Sequence, residues 1–243
     1  MAQNIYDDPQ FFVGYSGLRR SVEGLAGAPE WPALKALLPD LTGRRVVDLG
    51  CGFGWFCRFA REAGAGEVLG LDLSENMLAR AREMASDPAI TYRRADLEAL
   101  ELPVASFDLA YSSLAFHYVE NLSGLLATIA RALVPGGRLV FSAEHPIYTA
   151  PRRPGWTVDS DGHKSWPVDH YLAEGPRRTN WFAEGVVKQH RTIGAYLNLL
   201  VSAGFTVSHL EEWGPSQAQI AVQPELAEER ERPMFFIVAV ERR

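Results

Sequence analysis

Cysteine is scarce: Cys51 and Cys57 are the two in 243 residues. That excludes a disulfide framework, and their spacing is not the C-x-x-C of a zinc or redox site. The six histidines (117, 145, 163, 170, 190 and 209) form no HExxH or HxH pair, so no metal site is expected. Basic charge is short as well. Lys and Arg total 24 against 30 Asp and Glu, a formal net charge of −6, whereas a nucleic-acid binder needs basic excess to displace counterions. The Arg pairs at 19–20, 44–45, 93–94, 152–153 and 177–178 are scattered, and most of them read as solvated surface. Long apolar runs are missing too. Phe235 to Val240 has six residues, far below the roughly 20 that a membrane helix requires. The first residues are polar and acidic, without the basic start of a signal peptide. The expectation is a soluble, cytoplasmic chain whose 47% hydrophobic residues suffice for one sizeable core.

What is present is a regular alternation. Short apolar runs read as strands at 45–49, 67–71, 90–93, 107–111 and 138–143. Between them lie helical patterns at 55–62, after Ser74 as N-cap, and at 122–133, the last stopped by Pro135-Gly136-Gly137. A helix at 192–203 and strands at 205–210 and 233–240 follow. This rhythm predicts right-handed βαβ units: a Rossmann-like, doubly wound, mostly parallel α/β sheet in three αβα layers. Residues 1–40 read as a helical cap, including Trp31 to Leu38, ahead of a core at 41–145. The stretch 146–190, rich in Pro, Gly, Arg and Trp, shows no sustained period and reads as a long loop or lid. Residues 191–243 complete a single domain.

The segment that carries chemistry is Val47-Asp48-Leu49-Gly50-Cys51-Gly52-Phe53-Gly54. A strand delivers an acidic residue, then alternate glycines that let backbone turn sharply beside a ligand, then a helix N-terminus. The register excludes a dinucleotide. GxGxxG would need glycine at Trp55 or Cys57, and Asp48 would set like charge against a pyrophosphate. The P-loop pattern is absent. An acidic residue there suits an ammonium or sulfonium group instead.

On these residues the chain resembles the class I S-adenosylmethionine-dependent methyltransferases, within the bacterial type 11 small-molecule group. The family's first motif is matched by Val46 to Gly54, and its second-strand acid by Asp72 in Gly70-Leu71-Asp72-Leu73-Ser74. Ala95-Asp96-Leu97, Phe107 to Ser113 and Leu133 to Leu139 match the later motifs in order. The resemblance implies seven strands and a site for S-adenosyl-L-methionine. In it Asp48 fixes the methionine end, and Leu49, Gly50, Cys51, Gly52, Phe53 and Gly54 form the turn. Asp72 accepts both ribose hydroxyls. Ala95 and Asp96 serve the adenine amine side, with Leu73, Met77 and Leu97 about the ring. Ser112 lies by the amino-acid moiety, and Tyr15 and Arg19 cap its carboxylate.

The implied activity is methyl transfer to a small organic molecule by in-line displacement. The enzyme's share is alignment, plus a proton acceptor if a hydroxyl or ammonium is methylated. His145 and His117, following the fifth and fourth strands, are the candidate bases, with His190 behind them and Glu144 adjacent. Aromatic residues of 1–40 and 146–190, among them Tyr6, Tyr15, Trp156, Trp166 and Trp181, are expected to cover the acceptor. A tRNA-modifying enzyme and a non-catalytic S-adenosylmethionine-binding module stand as alternatives. A homodimer stays open.

Overall fold

Strands form where the sequence runs apolar, and helices where it turns amphipathic. The computed structural model describes residues 3–243. Three short helices, α1 (Pro9–Ser16), α2 (Arg19–Val22) and α3 (Trp31–Ala36), precede β1 (Arg45–Leu49). Then come α4 (Trp55–Glu62), β2 (Glu67–Asp72), α5 (Glu75–Glu83), β3 (Ile90–Arg94), β4 (Phe107–Ser113), α6 (Leu122–Ala132) and β5 (Leu133–Glu144). The insertion holds α7 (Pro146–Thr149), β6 (Thr157–Val158), β7 (Lys164–Ser165), β8 (Gly175–Trp181) and β9 (Ala183–His190). The chain closes with α8 (Ile193–Ser202), β10 (Phe205–Trp213), α9 (Gln217–Val222) and β11 (Phe235–Arg242).

Seven strands make the main sheet in the order β10-β11-β5-β4-β1-β2-β3. The β1, β2, β3, β4 and β5 pairings are parallel, and β11 alone runs antiparallel to its neighbours. Strand periodicity sends alternate residues to opposite faces. Val47, Leu49 and Ala110 join one apolar cluster, Val46, Leu109 and Tyr111 the other. Helices cover both faces, so the expected three layers and doubly wound sheet are present. The chain winds from β1 outward through β2 and β3, then returns to β4 on the other side. That reversal opens a crevice at the carboxyl ends of β1 and β4, where such sheets bind ligands. No helix among the described residues is long and apolar enough to cross a membrane.

The insertion departs from the expected long loop. Residues 175–190 form an antiparallel hairpin, β8 with β9, and β6 pairs with β7. Exposure alternates along Gly-Pro-Arg-Arg-Thr-Asn-Trp, but neither face of β8 is deeply buried. Its polar composition therefore hides the period-2 signal that a half-buried strand ordinarily shows. The turn uses Phe182 at φ 56°, a left-handed conformation seldom taken by bulky residues.

Candidate functional site

The turn after β1 is built by its backbone. The Gly50 and Cys51 N–H groups donate to the Leu71 carbonyl at 2.8 and 2.9 Å, tying the turn to the end of β2. Gly50 has φ 79° and Gly54 φ 69°, values glycine adopts without steric cost. A Cβ at Gly50 would lie 2.5 Å from Ala115 Cβ, and one at Gly54 2.1 Å from Tyr92 Oη. Space, as well as conformation, selects glycine at both positions.

A buried carboxylate, Asp48, and a half-buried one, Asp72, flank the turn. Asp48 accepts the Cys57 thiol at 3.3 Å, and burial pushes its pKa up to about 7. Asp72 Oδ2 accepts the Gly52 N–H at 2.8 Å and Oδ1 the Ser74 N–H at 2.9 Å. Burial raises its pKa to about 6, although those backbone bonds pull the other way. Each oxygen retains a lone pair beyond its N–H bond. The pair favours a cationic ligand, which would restore the charge that burial disfavours.

A cavity of about 560 Å³ opens over these groups. Asp48, Gly50, Cys51, Gly52, Phe53, Asp72, Leu73 and Met77 line it on one side, continuing to Asp96 and Leu97. Asp96 also caps the 3-10 turn 97–99 by accepting the Glu98 N–H at 3.0 Å. The N-terminal segment supplies Tyr15 and Arg19. It is docked by Asp7, whose Oδ1 takes the Ser74 hydroxyl at 2.5 Å and the Asn76 N–H at 3.2 Å.

Four expected residues sit behind the wall. The Leu49 carbonyl accepts the Ser112 hydroxyl at 2.7 Å, so this pair knits β1 to β4, and Ser113 and Leu114 line the cavity instead. Gly54 caps α4. Ala95 donates its N–H to the Asp72 carbonyl at 2.9 Å. Arg19 reaches the cavity with its guanidinium already forked onto Glu23 at 3.0 and 2.9 Å.

The histidines divide. His117 lines the cavity and burial pushes its pKa down to about 4, so it is neutral at pH 7. Its Nδ1 accepts the Glu144 N–H at 3.4 Å, which assigns the ring proton to Nε2. His145 is turned away from the cavity. Its Nδ1 caps α7 by accepting the Ile147 N–H at 3.0 Å, and its Nε2 meets Glu212 Oε1 at 2.7 Å. His190 is similarly engaged, by Thr149 Oγ1 at 2.9 Å and the Tyr171 carbonyl at 2.8 Å. Both rings hold the insertion in place.

Several wall residues lie outside the sequence reading. Arg20 sends one nitrogen to both oxygens of the fully buried Glu30, at 2.9 and 3.0 Å. Trp55, Tyr118, Tyr148 and Lys188 also face the cavity. Glu144 pairs with Lys188 of β9. Of the insertion's tryptophans, Trp181 lines the cavity, while Trp156 and Trp166 pack on the Arg232 guanidinium, 5.3 and 4.4 Å from its carbon.

Comparison with known proteins agrees with this architecture. A family profile described as a methyltransferase domain matches residues 47–141. The crystal structure of an S-adenosylmethionine-dependent methyltransferase from Mesorhizobium loti is similar with a TM-score of 0.88 at 62% identity. The match covers 90% of this chain and 100% of that one. An uncharacterized protein of Haemophilus influenzae is 36% identical over 97% of this chain and 96% of its own length. A malonyl-acyl-carrier-protein O-methyltransferase of Enterobacter lignolyticus is 39% identical over 132 residues, and the chain spans 51% of that enzyme. With the glycine turn, the paired carboxylates and the strand order in one frame, this chain belongs to the class I S-adenosylmethionine-dependent methyltransferases.

Proposed function

We propose that this methyltransferase acts on a small organic molecule held in the same cavity as the methyl donor. One observation carries the reading: the cavity is continuous from the glycine turn and Asp72 to aromatic residues of the cap (Tyr6), the core after β4 (Tyr118) and the insertion (Tyr148 and Trp181). S-adenosylmethionine, when bound, supplies an electrophilic methyl group on a cationic sulfur. Asp72 holds the ribose hydroxyls with its remaining lone pairs, Asp48 balances the charge of the methionine end, and Leu73, Met77 and Leu97 enclose the adenine. Tyr15 closes the donor side. The aromatic wall excludes water and aligns the acceptor, which is the main catalytic demand of an in-line displacement.

The formal charge of −6 favours a metabolite over an RNA acceptor. A methyl-donor assay against a metabolite library, with mass detection, tests the proposal. A product heavier by one methylene unit supports it; methylation confined to tRNA would replace it with the nucleic-acid alternative.

A further inference from the structure

Insertion and core meet at one buried ion pair. Glu144 ends β5, Lys188 lies on β9, and the ammonium donates to Glu144 Oε1. Their side chains are 10% and 5% exposed. The ammonium lies 5.1 Å from the Trp181 ring centre and 5.7 Å from that of Tyr148. His117 Nε2 is 3.9 Å from the same Glu144 oxygen. All five residues line the cavity. The second Glu144 oxygen, Oε2, is buried with no hydrogen-bond partner among the described residues. A carboxylate serving only to fasten a hairpin would satisfy both oxygens, because an unpaired buried acceptor loses its hydration without return.

We propose that Glu144 receives the hydroxyl proton of the methyl acceptor, that Lys188 positions Glu144, and that the acceptor is an uncharged, ring-bearing alcohol of the phenol or enol class. This rests on the reading that the acceptor occupies the cavity. Charge selects the class. Glu144 and Lys188 cancel, and His117 is neutral. Beside a cancelled pair, a charged acceptor gains no net opposite charge to offset the hydration it loses. A neutral hydroxyl loses less hydration and brings the donor that Oε2 lacks. The rings of Tyr118, Tyr148 and Trp181 line the cavity and offer apolar surface to its body. As the hydroxyl oxygen bonds to the methyl carbon, the C–S electron pair stays on sulfur and the O–H proton moves to Oε2. One sulfonium and one carboxylate become a thioether and a carboxylic acid, and charge balances.

The probe is 4-nitrophenol, whose neutral and ionised forms absorb at different wavelengths, titrated into protein saturated with S-adenosylhomocysteine. Wild type is expected to bind it with an ionisation midpoint above that in buffer, since Oε2 holds the neutral form. Glu144→Gln leaves the Lys188 ammonium to favour the phenolate. It should lower the bound midpoint by about one pH unit, tenfold in the equilibrium, and slow methylation. Lys188→Gln should raise the midpoint. The double variant, which buries no lone charge, should fall between the two and still methylate poorly. Calorimetry should find S-adenosylhomocysteine affinity unchanged in all three. Three results would overturn the proposal while leaving the donor site standing: no 4-nitrophenol binding to wild type, tighter binding of benzoate or benzylammonium, or an unmoved midpoint in Glu144→Gln. Wild type that fails to bind S-adenosylhomocysteine would overturn the cavity reading itself.

Discussion

Asp72 and Gly52, twenty positions apart, are joined by a 2.8 Å bond from the Gly52 N–H to Asp72 Oδ2. The bond ties the end of β2 to the turn after β1, so one carboxylate both shapes the glycine turn and faces the ligand cavity. Ser74 holds the other oxygen from the start of α5. The proposed donor site is thus held by the protein's own backbone hydrogen bonds, which limits the ordering cost of binding.

Asp48 and Asp72 give the site a pH signature. Burial raises them to about 7 and about 6, above the value of about 3.9 for an unfolded Asp. With folded values raised, their contribution to stability is present below about pH 4 and is lost as pH rises through 6 and 7. A bound sulfonium favours the ionised forms. S-adenosylmethionine should therefore release protons on binding between pH 6 and 7 and bind more weakly at lower pH. S-adenosylhomocysteine, uncharged at sulfur, should depend less on pH. Calorimetry in buffers of different ionisation heat reads the proton count, and identical profiles for the two ligands would contradict the assignment.

Gly50→Ala should destabilise the protein by about 1–3 kcal/mol, because it combines a left-handed φ with a collision. The collision is with Ala115 Cβ at 2.5 Å. Adding Ala115→Gly should restore only the part due to collision. Denaturant midpoints of the single and double variants separate the two effects.

His145→Ala should cost about 0.5–2 kcal/mol through loss of the α7 cap. The Glu212 partner is largely exposed, with 58% of its side chain accessible, so that bond adds little. Affinity for S-adenosylhomocysteine should stay within about twofold, because the ring lies off the cavity. A large loss of affinity would assign His145 a role in the site.

Trp181→Ala and Trp166→Ala should behave differently. The first removes a cavity wall, so methyl transfer falls while donor binding persists. The second removes a ring from Arg232 and lowers stability, with turnover per folded molecule retained. Steady-state rates combined with thermal melting distinguish them, and equal loss of turnover would argue against the placement of Trp181 alone at the acceptor side.

Much of the proposed donor side was legible because its chemistry is local. The glycine turn, Asp48, Asp72 and the 95–97 segment each lie at or just after the carboxyl end of a strand, and a parallel sheet gathers such ends along one edge. The acceptor side was less legible because its contacts are long-range. Nothing in the sequence brings Lys188 to Glu144 or Arg20 to Glu30, since each pair depends on how cap and insertion settle on the core. His145 and Ser112 show a second limit. Both stand at strand ends in sequence, yet one ring caps α7 and one hydroxyl bonds the neighbouring strand. The β8–β9 hairpin escaped for a third reason: its first strand has no strongly apolar face to announce it.

The central claim is that Asp72 and the glycine turn form the donor site, and calorimetric titration of wild type and Asp72→Ala with S-adenosylhomocysteine tests it directly. Losing charge-assisted bonds of about 1.5–3 kcal/mol each, the variant should bind at least about tenfold more weakly than a wild type that binds one ligand per chain. Equal affinity in the two proteins, or no binding to wild type, would contradict the account.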